Sequence, residues 1–221
     1  MTNPLKYTLK SEAPALAILA GAGVLSWYFY AHFPEKVITH WNFYGQADGF
    51  SGRGFGAFYM PLILAAMYIL FFVLPFFDPK KDRYADFASA YFHFRFALLA
   101  CMFAVFTVAG FANLGYKIPM DKTITVIIGL LFMYMGNLMG KIKNNWFVGI
   151  KTPWTLSSEN VWNKTHRFGG YAFVIFGLVL ILIPYLGKTL GLVAFISGLV
   201  LLVFGTAVYS YLIYRREQKR I

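Results

Sequence analysis

The chain has 221 residues, of which 59% are hydrophobic, 20% are aromatic and only 13% are charged. Charged residues are about half as frequent as in soluble proteins, so they cannot cover the surface that a soluble domain exposes to water. The formal net charge is +11, but the Lys and Arg residues cluster where hydrophobic runs end and form no basic stripe along a soluble element. This composition argues against direct nucleic-acid binding and predicts an integral membrane protein.

Six apolar runs are long enough to cross about 30 Å of hydrocarbon as helices. They lie near 13–31, 57–77, 91–114, 123–140, 169–186 and 189–213. We therefore predict an all-α, polytopic membrane protein with about six transmembrane helices. The first run continues through aromatic residues without a small-residue cleavage site, which predicts a retained helix rather than a cleaved signal peptide.

The distribution of positive charge predicts the orientation of the chain. Fifteen of the twenty Lys and Arg residues fall at the two termini, in 78–95 and in 141–168. By the positive-inside rule both termini and the 141–168 loop are cytoplasmic, whereas the 32–56 and 115–122 loops lie outside. The predicted organisation is a first helix with an extracytoplasmic loop, then helices two and three, then a core with the cytoplasmic loop and helices four to six. The corresponding ranges are 1–56, 57–122 and 123–221.

Two polar residues near the start of the third run, His93 and Arg95, are predicted to extend their side chains to the membrane interface. An ion pair with Asp86 or Glu159 is the alternative for Arg95. Neither residue is assigned to a functional site.

The predicted outer loop, 32–56, combines a strand-prone segment at Val37-Ile38-Thr39 with glycines that supply turns, at positions 45, 49, 52, 54 and 56. It is expected to form a small lid at the level of the outer headgroups. Its aromatic and polar residues are candidates for binding a peptide or a lipid headgroup, and the alternative is that they only stabilise the turns of the loop. The candidates are His40, Trp41, Asn42, Asp48 and Arg53.

A zinc site is a second interpretation of the outer loop, because His32, Glu35, His40 and Asp48 are all potential metal ligands. The loop has no pair of histidines at metalloprotease spacing on a helix. We therefore predict no metal and no other cofactor.

The predicted inner loop, 141–168, carries the densest alternation of polar, aromatic and turn residues. Ser157 or Ser158 is expected to cap a short helix ending near Arg167, in which Trp162 and His166 meet one turn apart. The tryptophans at 146, 154 and 162 are predicted to anchor the loop in the inner interface, next to lysines that contact anionic headgroups.

Polar residues of this region are also candidates for a binding site. Asn137 lies at a predicted membrane end, where an unpaired amide is costly, so we expect it to have a partner in the helix bundle or to mark a site. Asn144, Asn145, Thr152 and His166 belong to a convergent polar set, for which a purely structural role is the alternative.

Two stretches of the sequence resemble a known family. GNLMGKIKNNWFVGIKTPWTLSSENVWNKTHRFGG, residues 136–170, resembles the signature of the SdpI family of bacterial membrane proteins, and FPEKVITHWNFYGQADGFS, residues 33–51, resembles the small uncharacterised domain that often precedes the SdpI core. The resemblance implies a binding site for a ligand or partner in the inner loop and another for a ligand in the outer loop. The inner positions are Asn137, Asn145, Thr152, Pro153, Trp154, Thr155, Trp162, Thr165 and His166, with Gly149 and Gly169. The outer positions are His40, Trp41, Asn42 and Asp48, with Pro34, Gly45 and Gly49, and Arg53 stands where the pattern often has a lysine.

Known members of the family include an immunity protein that protects a spore-former from its own secreted toxic peptide and, when bound by toxin, sequesters a soluble repressor at the membrane. The resemblance thus implies a non-enzymatic immunity and signalling protein of the bacterial inner membrane. Its expected partners are membrane lipids, an extracellular or membrane-embedded toxic peptide, and a soluble cytoplasmic repressor. Because Lys and Arg outnumber the acids of the outer loops, hydrophobic capture of a cationic toxin is expected rather than electrostatic steering.

Two other classes of function stay open at this stage. One is a membrane enzyme or transporter acting on a lipid or small hydrophobic solute, using His40 and Asp48 outside or His166 and Thr152 inside. The other is a membrane scaffold in which both loops only pack.

Overall fold

The computed structural model describes residues 4–219, in which six helices are long and apolar enough to cross a membrane. The helices are α1 (Leu9–His32), α2 (Arg53–Phe77), α3 (Ala88–Asn113), α4 (Met120–Met139), the short α5 (Pro153–Ser157), α6 (Glu159–Leu182) and α7 (Lys188–Gln218). Turns of 3₁₀ helix precede α3 and follow α6, at Lys81–Phe87 and Ile183–Tyr185. The antiparallel strands β1 (Lys36–Trp41) and β2 (Ala47–Gly52) form one hairpin. The prediction of an all-α protein with about six transmembrane helices is confirmed.

Two predictions about glycine-rich boundaries are wrong. Gly54 and Gly56, expected in turns, lie in α2, which begins at Arg53. Gly56 serves close packing, because a Cβ there would lie 2.7 Å from Cγ1 of Val37. The short helix expected to end near Arg167 instead continues as α6 to Leu182. Ser158 caps this helix, as expected, by accepting a hydrogen bond from the Val161 N–H.

The chain divides into two compact units, each discontinuous in sequence. The hairpin unit comprises Tyr7–Phe71 and Arg95–Ile128. Within the described residues, the loop unit comprises Phe72–Phe94 and the ranges 4–6 and 129–219. Each unit contains one of the two segments that the sequence singles out.

The core of the hairpin unit joins the hairpin to its helices through aromatic packing. Phe29 of α1 is fully buried, stacks on Phe33 at a centroid distance of 5.1 Å and meets the edge of Phe106 of α3 at 5.3 Å. Gly110 makes room for this ring, since a Cβ there would lie 2.1 Å from Phe29 atoms. The Ser26 hydroxyl donates to the Ala57 carbonyl at 2.8 Å, which ties α1 to α2.

In the loop unit, glycines allow α4 and α6 to approach each other backbone to backbone. A Cβ on Gly136 would lie 2.6 Å from the Gly170 carbonyl oxygen, and a Cβ on Gly129 would lie 2.6 Å from that of Gly177. Membrane helices commonly pack through small residues. The hydrophobic effect does not drive helices together in lipid, so close van der Waals contact between them is needed. Gly170 is therefore a contact residue rather than a helix breaker.

Substitution of Gly136 by alanine is expected to destabilise the loop unit, because its Cβ pushes α4 away from Gly170. Overpacking of this kind costs about 1–3 kcal/mol. Thermal unfolding of the purified protein in detergent measures the effect. Gly23→Ala is the matched control, since Gly23 lies inside α1 with nothing within 4 Å of its Cβ position. Equal unfolding temperatures for the two variants would show that the glycine contact is unimportant.

Candidate functional site

The segment between α4 and α5 is folded around the side chain of Asn145, which is fully buried. Its Oδ1 accepts hydrogen bonds from the N–H groups of Phe147 and Val148 at 2.9 and 2.7 Å. Its Nδ2 donates to the carbonyls of Lys143 and Val148, both at 2.9 Å. All four hydrogen-bonding positions of the amide are thus used to satisfy backbone groups that no helix or strand pairs.

His166 of α6 fixes the next part of the same segment. The Ile150 N–H donates to Nε2 at 3.0 Å, and Nδ1 donates to the Trp162 carbonyl at 2.9 Å, which assigns a neutral ring with its proton on Nδ1. Trp162 stacks on the imidazole at 3.9 Å, confirming the expected contact, and its Nε1 donates to the Ile142 carbonyl. Gly149 has φ +122° and passes so close that a Cβ would lie 2.3 Å from Nε2.

Two threonines connect the segment to α5 and α7. Thr152 is the N-cap of α5 and forms a capping box with Thr155, in which each side chain accepts the other residue's backbone N–H. The Thr155 hydroxyl also donates to the Ile150 carbonyl at 2.9 Å. The Thr152 hydroxyl lies 3.0 Å from that of Ser210 on α7.

Asp78, which the sequence analysis did not single out, links the end of α2 to this segment. Its carboxylate is 2% exposed and accepts from the Trp146 N–H and the Tyr84 hydroxyl, both at 2.9 Å, and from the Lys80 N–H at 2.7 Å. Lys80 Nζ donates to Asn144 at 2.7 Å. A bidentate ion pair between Arg83 and Glu159, with distances of 3.0 and 2.6 Å, adds an exposed link.

The structure therefore gathers most of the predicted inner-loop residues, with three departures. Trp162, expected in the interface, is fully buried, because its indole N–H and its ring are both used inside the unit. Asn137, expected to have a partner in the bundle, is exposed and donates to the Met133 carbonyl of its own helix. Thr165 is buried on α6, and its hydroxyl has no hydrogen-bond partner within residues 4–219.

The remaining residues of the set lie at the surface of the folded segment. Trp146 is 48% exposed although its backbone is held by Asp78. Trp154 packs on Tyr211 of α7 at 5.0 Å, and Pro153, at the start of α5, is exposed. The segment thus has a closed polar interior and an aromatic outer surface.

In the hairpin, the polar candidates are largely engaged with one another. His40 Nδ1 and Asp48 Oδ1 lie 2.5 Å apart, with side chains 70% and 45% exposed. Asn42 accepts from the N–H groups of Tyr44 and Gln46 and donates to the Gln46 side chain, so it builds the turn between the strands. Arg53 is the first residue of α2, and its N–H donates to the Glu35 carbonyl.

The alternative of a zinc site gains no support from the geometry. His32, one of its four candidate ligands, donates from Nδ1 to the Tyr28 carbonyl and packs in a tilted arrangement on the Tyr28 ring. Across residues 4–219, no group of three His, Cys, Asp or Glu side chains is placed to hold a metal ion.

The hairpin is attached to α3 by the side chain of Asn113. Its Oδ1 accepts from the Ile38 N–H at 2.8 Å and its Nδ2 donates to the Ile38 carbonyl at 2.9 Å, so the amide replaces a third strand beside β1. Below β1 lies a cavity of about 210 Å³. Its lining is mostly apolar and aromatic and includes Trp41, Tyr59, Phe106 and Ile124, with the polar residues His40 and Asn113 at its edge.

A buried ion pair lies elsewhere in the hairpin unit, between Glu12 and Arg95. Nη2 of Arg95 is 2.8 Å from both carboxylate oxygens, the two residues are 8% and 1% exposed, and Tyr68 donates to the carboxylate at 2.8 Å. Neither the interface position predicted for Arg95 nor the pairing with Asp86 or Glu159 is correct. Arg95 is a buried helix residue and does not count among the loop cations.

Comparisons with known proteins match two ranges of the chain, one in each unit. The SdpI/YfhL protein family matches residues 141–214, which lie in the loop unit. The resemblance to the SdpI family is confirmed. The Domain of unknown function (DUF1648) matches residues 17–65, which lie in the hairpin unit. The chain is also similar to Immunity protein SdpI of Bacillus subtilis (strain 168), at 23% identity over 92% of this chain and 96% of that protein. No solved structure matches it.

The range that matches the SdpI family contains some residues of the site but not others. It includes Asn145, Thr152 and His166, but Asp78 lies outside both matched ranges, as does Asn113. Asn113 and Asp78, like Asn137, are polar residues at the end of an apolar run, and this position is the sequence signal that indicates them. Only the tertiary structure decides which of the three binds backbone groups of another segment, as Asn113 and Asp78 do, and which stays within its own helix, as Asn137 does. The binding roles of the candidate residues stay predictions.

Replacement of Asp78 by alanine is expected to loosen the segment between α4 and α5, because the partly buried Trp146 N–H and the buried Tyr84 hydroxyl lose their acceptor. Each loss costs about 1–3 kcal/mol. Limited proteolysis in detergent should show that the variant is cleaved faster than the wild type within 140–158. Asp82→Ala, at an exposed position of the same turn, is the control and should be cleaved like the wild type. Identical cleavage of both variants would remove Asp78 from its assigned role.

Replacement of Glu12 by alanine is expected to lower the free energy of unfolding by about 3–5 kcal/mol, because the Arg95 charge stays buried without its carboxylate. The double variant Glu12→Met with Arg95→Met should recover much of the loss. Arg83→Ala is the comparison, because its ion pair is exposed and contributes about 1 kcal/mol or less. Denaturant unfolding in detergent measures all three. If Glu12→Ala costs no more than Arg83→Ala, the buried pair has no special weight.

Proposed function

We propose that this chain is an immunity protein of the bacterial inner membrane that captures a toxic peptide, with both termini cytoplasmic. The observation that carries the proposal is the similarity to Immunity protein SdpI, which extends over 92% of the chain. The two family matches, over 17–65 and 141–214, include the hairpin and most of the folded segment before α5. The excess of Lys and Arg at the termini and in the 141–168 region supports the orientation.

The cavity below β1 is the binding site that we assign to the peptide. Its volume of about 210 Å³ is smaller than the roughly 300–1,000 Å³ of pockets that enclose whole small molecules, so it suits one or two anchoring side chains. Burial of an apolar side chain there contributes about 1.5–3 kcal/mol. The rest of a membrane-embedded peptide would lie against the apolar surface of the helices.

The charges around the hairpin favour this hydrophobic mode of capture. Lys36 lies over the Phe50 ring at 4.3 Å, and the negative charge of Asp48 faces His40. The 32–56 region carries two cations, Lys36 and Arg53, against two acids, Glu35 and Asp48, so it has no strong negative charge to attract a cationic peptide. Affinity is then expected to depend on the shape of the cavity and only weakly on salt.

A non-enzymatic role fits the geometry of both candidate groups. Both nitrogens of His166 are occupied by backbone groups, and Thr152 is a helix cap, so this pair has no free base and nucleophile. The exposed His40–Asp48 pair lies on the hairpin with Ser51. The Ser51 hydroxyl donates to the Gly52 carbonyl and not to this pair, so it is not activated as a nucleophile. The likeness to an immunity protein supports the same conclusion.

For signalling, we assign contact with a soluble repressor to the exposed surface of the segment before α5. Trp146 presents an aromatic side chain on a backbone that Asp78 holds, and Lys151 and Pro153 are exposed beside it in sequence. Rigid, exposed aromatic residues are frequent binding anchors. The closed interior of the segment acts as the scaffold for this surface.

Filling of the cavity should abolish protection. Ala109 lines it on α3, so Ala109→Phe places a ring where the peptide side chain would bind. In a sensitive bacterium challenged with a panel of secreted membrane-active peptides, wild type should raise survival, and Ala109→Phe should lose roughly 10-fold or more of this protection. Ala20→Phe, at an exposed position of α1, is the matched control and should protect fully.

Membrane fractions must contain equal amounts of the three proteins. Absence of protection by the wild type across the panel would contradict the immunity function. Protection by Ala109→Phe equal to that of the wild type would contradict the cavity as the binding site alone. Trp146→Ala should keep protection, because the peptide site does not include Trp146; a loss of protection would show that the two surfaces do not have separate roles.

A further inference from the structure

A groove between α6 and α7 in the loop unit combines two cations with an aromatic floor. Its volume is about 550 Å³. Lys164 and Arg167 lie on α6 at one end, and Phe168 stacks on Tyr209 of α7 at a centroid distance of 4.3 Å. The lining contains no carboxylate and is completed by Asn163, Tyr171 and Ile213.

The two cations of this groove are available to a ligand. Both side chains are exposed, and within residues 4–219 neither forms an ion pair or hydrogen bond. The acidic residues of α6 and α7 are already engaged, since Glu159 pairs with Arg83 and Glu217 accepts from Ser158. A planar guanidinium next to an ammonium is well suited to a phosphate group.

An apolar track continues from the groove along the same face of α6. Tyr171, Ile175, Leu178 and Leu182 are all exposed and follow one another at intervals of three or four residues, which places them on one helix face. Lys164 and Phe168 extend this series in the other direction. From Tyr171 to Leu182 the helix rises about 16 Å, close to half of the roughly 30 Å hydrocarbon thickness.

We propose that this groove and track bind one anionic phospholipid, with its phosphate between Lys164 and Arg167 and an acyl chain along α6. The charge of the groove matches the headgroup, and the track matches the length of a chain within one leaflet. A free phosphate would use only the cations, and an acidic peptide would leave the apolar track uncovered by lipid chain. The proposal is independent of the assignment of the toxic peptide to the hairpin unit.

Native mass spectrometry of the protein released from detergent tests this proposal, with phosphatidylglycerol and phosphatidylcholine of identical chains as probes. The wild type should retain one phosphatidylglycerol in preference to phosphatidylcholine. Lys164→Gln with Arg167→Gln should weaken this binding roughly 30-fold, about 5-fold for each cation. Lys141→Gln with Lys219→Gln removes the same charge from exposed positions of the same unit and should bind like the wild type.

Thermal unfolding provides a second readout that separates binding from folding. Without phosphatidylglycerol the two double variants and the wild type should unfold alike, and added phosphatidylglycerol should stabilise all except Lys164→Gln with Arg167→Gln. Equal retention by the two double variants, or equal retention of both lipids by the wild type, would overturn the proposal. Displacement of the bound lipid by millimolar glycerol phosphate would also overturn it, because the site would then recognise a free phosphate.

Discussion

Backbone N–H and C=O groups that leave a helix near a membrane must find partners inside the protein, because little water is available to them. Three side chains meet this constraint. Asn145 satisfies four backbone bonds in the segment before α5, Asp78 accepts from the Trp146 N–H, and Asn113 pairs with both backbone groups of Ile38. The two non-helical regions of the chain keep a defined shape through these contacts, and the surfaces proposed for the peptide and for the repressor are built on them.

The same constraint explains why the polar residues of the SdpI-like segment face inward. In sequence, a loop rich in Asn, Thr and His near a membrane end resembles a ligand site. In the structure, His166 and Asn145 form all their hydrogen bonds with backbone groups of the 141–168 region itself. These hydrogen bonds are the ones that a packing role of the two side chains requires. Trp146 and Pro153 are exposed although their backbones are held in place, which is why the proposed partner contact is assigned to them.

The sequence predicts the parts of the structure that depend on local periodicity. The six apolar runs follow from helix length against membrane thickness, the Ser158 cap from its position before a helix, and the Trp162–His166 stack from their spacing of one turn. Long-range pairs escape such reasoning. Glu12 and Arg95 are separated by 83 positions, and nothing local distinguishes Glu12 from Asp86 as the partner of Arg95. The burial of Trp162 was likewise missed, because a tryptophan near a membrane end also suits the interface.

The hydrogen bonds that Asn113 makes to the hairpin are comparable in energy to the burial of one apolar side chain. Asn113 holds β1 by two hydrogen bonds between neutral groups, each of which contributes about 1 kcal/mol net. An apolar side chain buried in the cavity below β1 contributes about 1.5–3 kcal/mol, which is the same magnitude. Since Asn113 also donates to the Ala109 carbonyl, and Ala109 lines the cavity, the last turn of α3 is in contact with both the hairpin and any occupant. The attachment of the hairpin and the cavity proposed for the peptide thus share the last turn of α3.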